Sequence, residues 1–138
     1  PALEEGMIVL SDRFTDATLA YQGFGRGVPL DLLRELNSMA TWGVRPDLTL
    51  FFDMEVAEAM HRIKLRIEET ETSADRIERE QIEFFDNVRR GYLILASEDP
   101  ARVKIIDARG DFKAVHQRVL EAIQTKLRDY GRPSSLAF

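Results

Sequence analysis

The chain has 138 residues, of which 44% are hydrophobic and 31% charged, with a formal net charge of −5, and these values are ordinary for one globular domain. The absence of cysteine excludes disulfides, thiolate chemistry and cysteine zinc sites, and is typical of a reducing compartment. The negative charge argues against a nucleic-acid backbone as the main partner, and without an apolar stretch of membrane-spanning length or a basic apolar leader we expect a cytoplasmic protein with no membrane anchor.

The first predicted element is a strand at residues 7–10, an apolar run too short for a helix and bounded by polar residues. Such a run is typical of a parallel strand buried on both faces. Asp12 and Arg13 follow it, and the carboxyl ends of parallel strands open into the crevice where α/β sheets bind ligands. Asp12 is therefore a candidate to hold a metal-bound water, and Arg13 to bind a phosphate. A surface ion pair at a strand end is the alternative.

Three glycines at alternate positions, Gly23, Gly25 and Gly27, come after a short segment over residues 15–22, with Arg26 among them. This spacing suits a loop that bends tightly or approaches a ligand closely. It matches neither G-x-G-x-x-G nor G-x-x-x-x-G-K-[ST], so the glycines by themselves predict no nucleotide site.

A helix is predicted to begin at residues 28–30, with Pro29 in its first turn, and to stop at Gly43. Its apolar residues recur at helical spacing, and we expect them to pack in the core. They are Leu32, Leu33, Leu36, Met39, Ala40 and Trp42. A dimer face would show the same pattern.

The second buried strand is predicted at residues 48–53, after a turn at residues 45–47. Asp53 ends this strand, and we expect it to cap the helix that follows at residues 55–67. The polar stretch at residues 68–74 predicts a mobile, exposed loop. Charge pattern alone favours a solvated helical hairpin around it.

The remaining predicted elements are a helix over residues 78–96, a strand over residues 103–107 and a helix over residues 111–129. Strands that alternate with helices indicate an α/β protein with a parallel sheet. The sequence shows no internal repeat and no second domain, so residues 1–138 are interpreted as part of one domain.

Three motifs together resemble the thymidylate kinase family. They are the run from Asp12-Arg13-Phe14 to Ala20-Tyr21-Gln22-Gly23, the segment Pro46-Asp47-Leu48-Thr49, and Asp75-Arg76-Ile77-Glu78. The resemblance extends from Gly6 to about Ile123. It implies an α/β fold of the P-loop kinase type, with a three-layer parallel sheet and helices on both faces. It also implies transfer of the γ-phosphoryl group of ATP to thymidine monophosphate with Mg²⁺.

The resemblance further implies roles for individual residues. Phosphoryl transfer needs chiefly positioning and charge neutralisation, and the residues implied for it are Asp12, Arg13, Arg62 and Arg66, with Asp12 organising Mg²⁺ through water. The thymidylate pocket would be lined by Arg13, Thr18, Tyr21, Gln22 and Arg26, with the Tyr21 ring disfavouring a ribose hydroxyl. ATP would contact Arg62, Ala108 and Arg109. A lid over about residues 62–78 would include Asp75, Arg76 and Glu78.

One motif of the family is absent, because the chain contains no Gly-Lys pair and so no P-loop for the ATP phosphates. In the family this motif precedes the stretch seen here, together with a strand that lies between the first two strands of this chain. Without that strand, several buried backbone groups would lack partners. Residues 1–5, followed by Gly6, also look like the end of a helix. We therefore expect a kinase domain incomplete at the N-terminus and inactive alone.

Two alternatives stay open. The chain could belong to another nucleoside monophosphate or deoxynucleoside kinase, because a fold does not fix the substrate. It could also be a non-catalytic scaffold, although a scaffold has no need of converging arginines at Arg13, Arg62 and Arg66. Family members pair through helices packed beside the sheet, so the resemblance also implies a homodimer.

Overall fold

The structure is a computed structural model that describes residues 1–68 and 78–129, with side chains described for residues 1–65 and 82–129. This part of the chain forms five α-helices, one π-helix and two strands. They are α1 (Thr15–Thr18), the π-helix (Leu19–Phe24), α2 (Leu30–Ala40), β1 (Thr49–Asp53), α3 (Val56–Glu68), α4 (Glu78–Glu98), β2 (Val103–Asp107) and α5 (Phe112–Asp129). Within these ranges, no helix has the length and apolar character needed to cross a lipid bilayer.

The two strands pair in parallel, with Thr49 opposite Val103 and Asp53 opposite Asp107. Helices α3 and α4 connect them, and α5 packs on β2. A parallel pair needs such a helical crossover, because a tight turn cannot return the chain to the same edge. The predicted α/β organisation with a parallel sheet is thus confirmed for the described residues, where the sheet has two strands.

The strand predicted at residues 7–10 is wrong. These residues form no strand, and Leu10 is 90% exposed. A strand is defined by the neighbour with which its backbone groups pair, and in the described part of the chain β1 and β2 pair only with each other. The apolar composition of residues 7–10 was correctly identified, but composition supplies no partner strand.

The core lies where the π-helix, α2 and α4 meet. Leu19, Leu33 and Leu95 form its buried cluster, with Phe24 and Leu30 packed against it. Burial of such apolar side chains stabilises the fold by roughly 1.5–3 kcal/mol each. This contact fixes the π-helix against the long helix α4 behind it.

Helix α2 buries only one of its predicted core residues completely. Leu33 is 6% exposed, whereas Leu36 is 51% exposed, and Trp42, which lies two residues beyond the end of α2, is 94% exposed. Leu32 and Met39 are exposed as well. The expectation that this whole face packs in the core is therefore wrong, and α2 presents an apolar surface to solvent.

The π-helix approaches α4 closely at two glycines. A Cβ atom at Gly25 would lie 2.6 Å from the Phe84 ring, and one at Gly91 would lie 2.6 Å from the Phe24 ring. Any larger residue would force these elements apart, because such contacts are far inside van der Waals distance. Close approach at Gly25 is thus to an aromatic ring of this chain, whereas the sequence predicted a tight bend or an approach to a ligand.

Candidate functional site

Two aromatic rings and two guanidinium groups form a chain of contacts at the π-helix. The Arg13 guanidinium lies over the Tyr21 ring, 4.7 Å from its centroid. Tyr21 meets Phe84 edge-to-face at 6.0 Å, and the Arg26 guanidinium lies over Phe84 at 5.8 Å. Arg26 also donates a 3.0 Å hydrogen bond to Gln22. Stacking on the rings restricts both guanidinium groups in space.

The backbone of Arg13 is left-handed, with φ of 65°. This conformation costs a residue with a Cβ about 1 kcal/mol or more. The hydroxyl of Ser11 donates a 3.0 Å hydrogen bond to the carbonyl of Arg13 and stabilises the turn. Strain of this kind is tolerated where the local structure fixes it, and it points the Arg13 side chain toward Tyr21.

The other predicted residues of this region lie close by in the chain. Thr18 ends α1, directly before the π-helix.

Asp12 is exposed in the turn ahead of Arg13, and in the described part of the chain it has no hydrogen bond or ion pair. A single free carboxylate fits a role toward Mg²⁺, which usually keeps several waters and takes one or two carboxylates besides substrate phosphates. No group of three acidic or histidine residues in the described ranges could bind a metal ion.

A second set of charges lies at the carboxyl end of β1. Arg89 of α4 donates to both carboxylate oxygens of Asp53, at 2.7 and 3.2 Å, and pairs with Glu55 at 2.9 Å. The hydrogen bonds to Asp53 raise the pKa of Arg89 above its ordinary value. The prediction that Asp53 caps the next helix is wrong, because α3 begins only at Val56. The Asp53 carboxylate instead accepts hydrogen bonds from Arg89 of α4.

The carboxyl end of β2 holds a matching pair. Arg109 donates to both oxygens of Asp107 at 2.9 Å, and these bonds hold the pKa of Asp107 well below its ordinary value. Arg62 of α3 reaches the same loop, donating to the Ala108 carbonyl at 3.4 Å and to Glu58 at 2.7 Å. The structure thus brings together the three residues expected to contact ATP, Arg62, Ala108 and Arg109.

Four predicted residues lie wholly or partly outside the described structure. Asp75 and Arg76 are outside the described residues, and the side chains of Arg66 and Glu78 are not described, although their backbones belong to α3 and α4. Their roles therefore stay predictions.

Sequence reasoning missed a buried ion pair at the amino ends of the two strands, opposite the ends that hold Asp53 and Asp107. Asp16 of α1 is 5% exposed and pairs with Arg102 at 2.6 Å. Both residues line a cavity of about 470 Å³. Their separation of 86 positions gives no local signal in the sequence. The pairing of Arg89 with Asp53, separated by 36 positions, was missed for the same reason.

The fold is that of a known class of phosphotransferases. A solved structure of thymidylate kinase from Ehrlichia chaffeensis superposes with a TM-score of 0.65 at 30% identity, covering 90% of this chain and 53% of that chain. The chain thus has the P-loop kinase fold that the resemblance implied, and this fold belongs to the α/β class.

The family follows from sequence comparison. A family model described as thymidylate kinase matches residues 1–119. The chain is 46% identical over 129 residues to the thymidylate kinase of Desulforudis audaxviator, and 46% identical over 137 residues to that of Pelotomaculum thermopropionicum. It therefore belongs to the thymidylate kinase family. These alignments cover 94% and 99% of this chain but 56% and 62% of the relatives, so the chain spans less than two thirds of their length.

Proposed function

We propose that this chain is the thymidylate-binding and lid-bearing part of an enzyme that transfers the γ-phosphoryl group of ATP to thymidine monophosphate. The observation that carries the proposal is the contact chain Arg13, Tyr21, Phe84 and Arg26. It sets guanidinium groups, which match a phosphate, beside aromatic rings, which match a base and a sugar. Membership of the thymidylate kinase family supports the choice of substrate.

The chemistry follows from the charges. Phosphoryl transfer passes through a transition state whose charge is spread over the phosphoryl oxygens, so positioned cations accelerate it. Arg13 would bind the acceptor phosphate, and Arg62, held 3.4 Å from the Ala108 carbonyl, would act from the ATP side. When bound, Mg²⁺ would neutralise charge between the phosphates, and Asp12 would orient its waters.

The Arg109 side chain is fixed by Asp107 through two bonds of 2.9 Å. Because of this pairing, the Arg109 guanidinium forms a rigid, planar surface in the loop after β2, where ATP is expected to lie. Arg66 and the lid residues Asp75, Arg76 and Glu78 complete the proposal on the family pattern.

The 138 residues contain no G-x-x-x-x-G-K-[ST] motif. The ATP phosphates need such a loop, because its backbone N–H groups and its lysine bind them. We therefore propose that thymidylate binding resides in this chain, whereas turnover requires a P-loop segment joined to it.

The exposed apolar face of α2 supports a homodimer as part of the same proposal. Leu36 and Met39 on α2 are 51% and 70% exposed, and Trp42, just after the helix, is 94% exposed. Contiguous exposed apolar surface of this kind marks an interaction site, and a two-fold interface would bury the face of one protomer against the same face of its partner. The lack of cysteine supports a cytoplasmic location.

Two measurements test the function. Calorimetry of the 138-residue chain should show binding of thymidine monophosphate, and weaker binding of uridine and cytidine monophosphates. A chimera that places the P-loop segment of the Desulforudis audaxviator relative ahead of residue 1 should release ADP in a coupled assay with thymidine monophosphate. If the chimera binds ATP but phosphorylates a different monophosphate faster, that monophosphate replaces thymidine monophosphate as the proposed substrate. A chimera without any kinase activity favours the scaffold alternative.

A further inference from the structure

The buried carboxylate of Asp16 joins α1 to the first residue of β1, Thr49, and to Arg102, which directly precedes β2. It accepts two hydrogen bonds from the Arg102 guanidinium, at 2.6 and 3.0 Å, and one from the Thr49 hydroxyl at 2.6 Å. Arg102 also donates to the Thr49 hydroxyl at 3.2 Å. Thr49 is the first residue of β1, and its N–H donates to the Arg102 carbonyl at 2.9 Å. Three segments that are distant in sequence therefore meet at one carboxylate.

Arg102 is itself held from a second side. It donates a 2.9 Å hydrogen bond to Asp99, which directly follows α4, and its side chain is 14% exposed. The hydrogen bond to Asp16 raises the pKa of Arg102, and the hydrogen bond from Arg102 lowers the pKa of Asp99. The guanidinium is thus fixed in orientation before it meets Asp16, as a bidentate pair requires.

Helix α1 depends on such contacts for its position. It runs without a break into the π-helix, so the two together span only residues 15–24, and the side chain of the N-cap residue, Phe14, makes no capping hydrogen bond. A helical segment of this length is marginal by itself, because isolated helices shorter than about 12–15 residues do not offset the cost of nucleation. Asp16 lies three residues after Arg13 and five before Tyr21, so the position of its carboxylate fixes the segment that carries both.

A buried ion pair is a poor device for stability. Removing two charges from water costs several kcal/mol, and an apolar pair of similar volume is often as stable or more so. What a fully hydrogen-bonded pair supplies is a defined geometry, and all three donors around Asp16 are in place. In the described residues, no buried side-chain polar atom lacks a partner.

We propose that Asp16 and Arg102 are positioning residues for the thymidylate pocket: their ion pair fixes the segment with Tyr21 and Gln22 against the sheet, and so sets the discrimination between deoxyribose and ribose. This inference rests on the proposed function, since it assigns Tyr21 to the sugar. It places a determinant of substrate selectivity at the amino ends of the strands, in residues to which no contact with the nucleotide is assigned.

The test compares binding of thymidine monophosphate with that of its ribose analogue, ribothymidine 5′-monophosphate, by calorimetry on the 138-residue chain. Asp16→Asn keeps the volume but weakens the pairing. We expect its Kd for thymidine monophosphate to rise roughly tenfold, a loss of about 1.4 kcal/mol of binding free energy. The ratio of the two Kd values should approach one, because the Tyr21 ring no longer lies in the place that excludes the extra hydroxyl.

Matched variants separate position from stability. Asp31→Asn makes the same change in an exposed pair with Arg34, where the Asp31 side chain is 99% exposed, and should leave both Kd values unchanged. The double variant Asp16→Asn with Arg102→Met removes both charges, so it should recover part of the Tm lost in Asp16→Asn while its Kd ratio stays relaxed. Thr49→Val is a milder variant that removes one donor and keeps the shape, and it serves if Asp16→Asn does not fold.

These measurements test the positioning role of Asp16 and Arg102 separately from the proposed thymidylate kinase function. A Kd ratio that stays at the wild-type value in folded Asp16→Asn or Thr49→Val overturns the positioning role. If the wild-type chain binds no thymidylate, the proposed function fails, and hydrogen exchange decides the positioning role. Faster exchange confined to residues 19–25 in Asp16→Asn then supports it, and equal acceleration in residues 30–40 overturns it.

Discussion

Asp53 and Asp107 lie directly opposite each other at the carboxyl ends of the two parallel strands, and each carboxylate accepts two hydrogen bonds from an arginine. Two adjacent carboxylates would repel each other if neither were compensated. The arginines come from different places, Arg89 from α4 and Arg109 from the loop after β2. Each of the two facing carboxylates is therefore compensated by its own arginine at the end of the sheet that is expected to face the phosphates.

The first prediction concerns the stability that Arg89 provides. Arg89→Met leaves the Asp53 carboxylate, whose side chain is 20% exposed, without its partner. Loss of charged hydrogen bonds at a partly buried site should lower the free energy of unfolding by about 1–3 kcal/mol. Urea denaturation measures this, with Asp31→Asn as the exposed control, for which a change of about 0.5 kcal/mol or less is expected. Equal losses in the two variants would contradict the assignment.

The second prediction concerns Tyr92, whose ring stacks on Phe51 with centroids 4.5 Å apart. Burial raises the pKa of Tyr92 to about 12 from its ordinary 10.0. Between these values the folded protein binds more protons than the unfolded chain, so stability is lost as pH rises from about 10 to 12. Tyr92→Phe should lack this loss. Urea denaturation at a series of alkaline pH values measures the difference, and parallel curves for the two proteins would show that Tyr92 titrates normally.

The third prediction separates strain from binding at Arg13. Arg13→Ala and Arg13→Gly both remove the guanidinium, so both should weaken thymidine monophosphate binding by roughly tenfold or more. Only glycine relieves the left-handed conformation with φ of 65°. The glycine variant should therefore be more stable than the alanine variant by about 1 kcal/mol. Thermal unfolding and calorimetry supply the two numbers, and an alanine variant as stable as the glycine variant would mean that no strain is stored there.

The fourth prediction concerns the exposed face of α2. Leu36→Glu places a charge in the middle of this face, and sedimentation velocity should show a dimer for the wild-type chain and a monomer for the variant. Ile63→Glu is the matched control, because Ile63 on α3 is 49% exposed and Leu36 is 51% exposed. It should leave the dimer intact. A wild-type chain that sediments as a monomer would refute this assembly.

The helices and strands that depend on local pattern were predictable from sequence. The strand at residues 103–107 was predicted with the bounds of β2, and the helix at residues 111–129 differs from α5 by one residue. Apolar periodicity and flanking glycine or proline determine such elements over a short distance. The family motifs also led to the residues that meet at the π-helix and at the loop after β2.

What could not be predicted depends on distant parts of the chain. Residues 7–10 have the composition of a strand, but a strand also needs a neighbour. Asp16 is an ordinary acidic residue in the sequence, and only the fold brings Arg102 to it from 86 positions away. Similarly, Asp53 resembles a helix cap until Arg89 is placed beside it. Long-range ion pairs follow from tertiary structure, and no local spacing encodes them.

The π-helix at Leu19–Phe24 has a consequence for how the segment that carries Tyr21 and Gln22 can change. A π-turn is an α-turn with one residue inserted, so deletion of a single residue here can leave a continuous α-helix. Because the wide turn already accommodates the extra residue, such a deletion keeps the residues on either side facing as they do now and changes only the side chains that the turn itself presents. The loss of one codon therefore changes which side chains this turn presents without repacking the scaffold behind it.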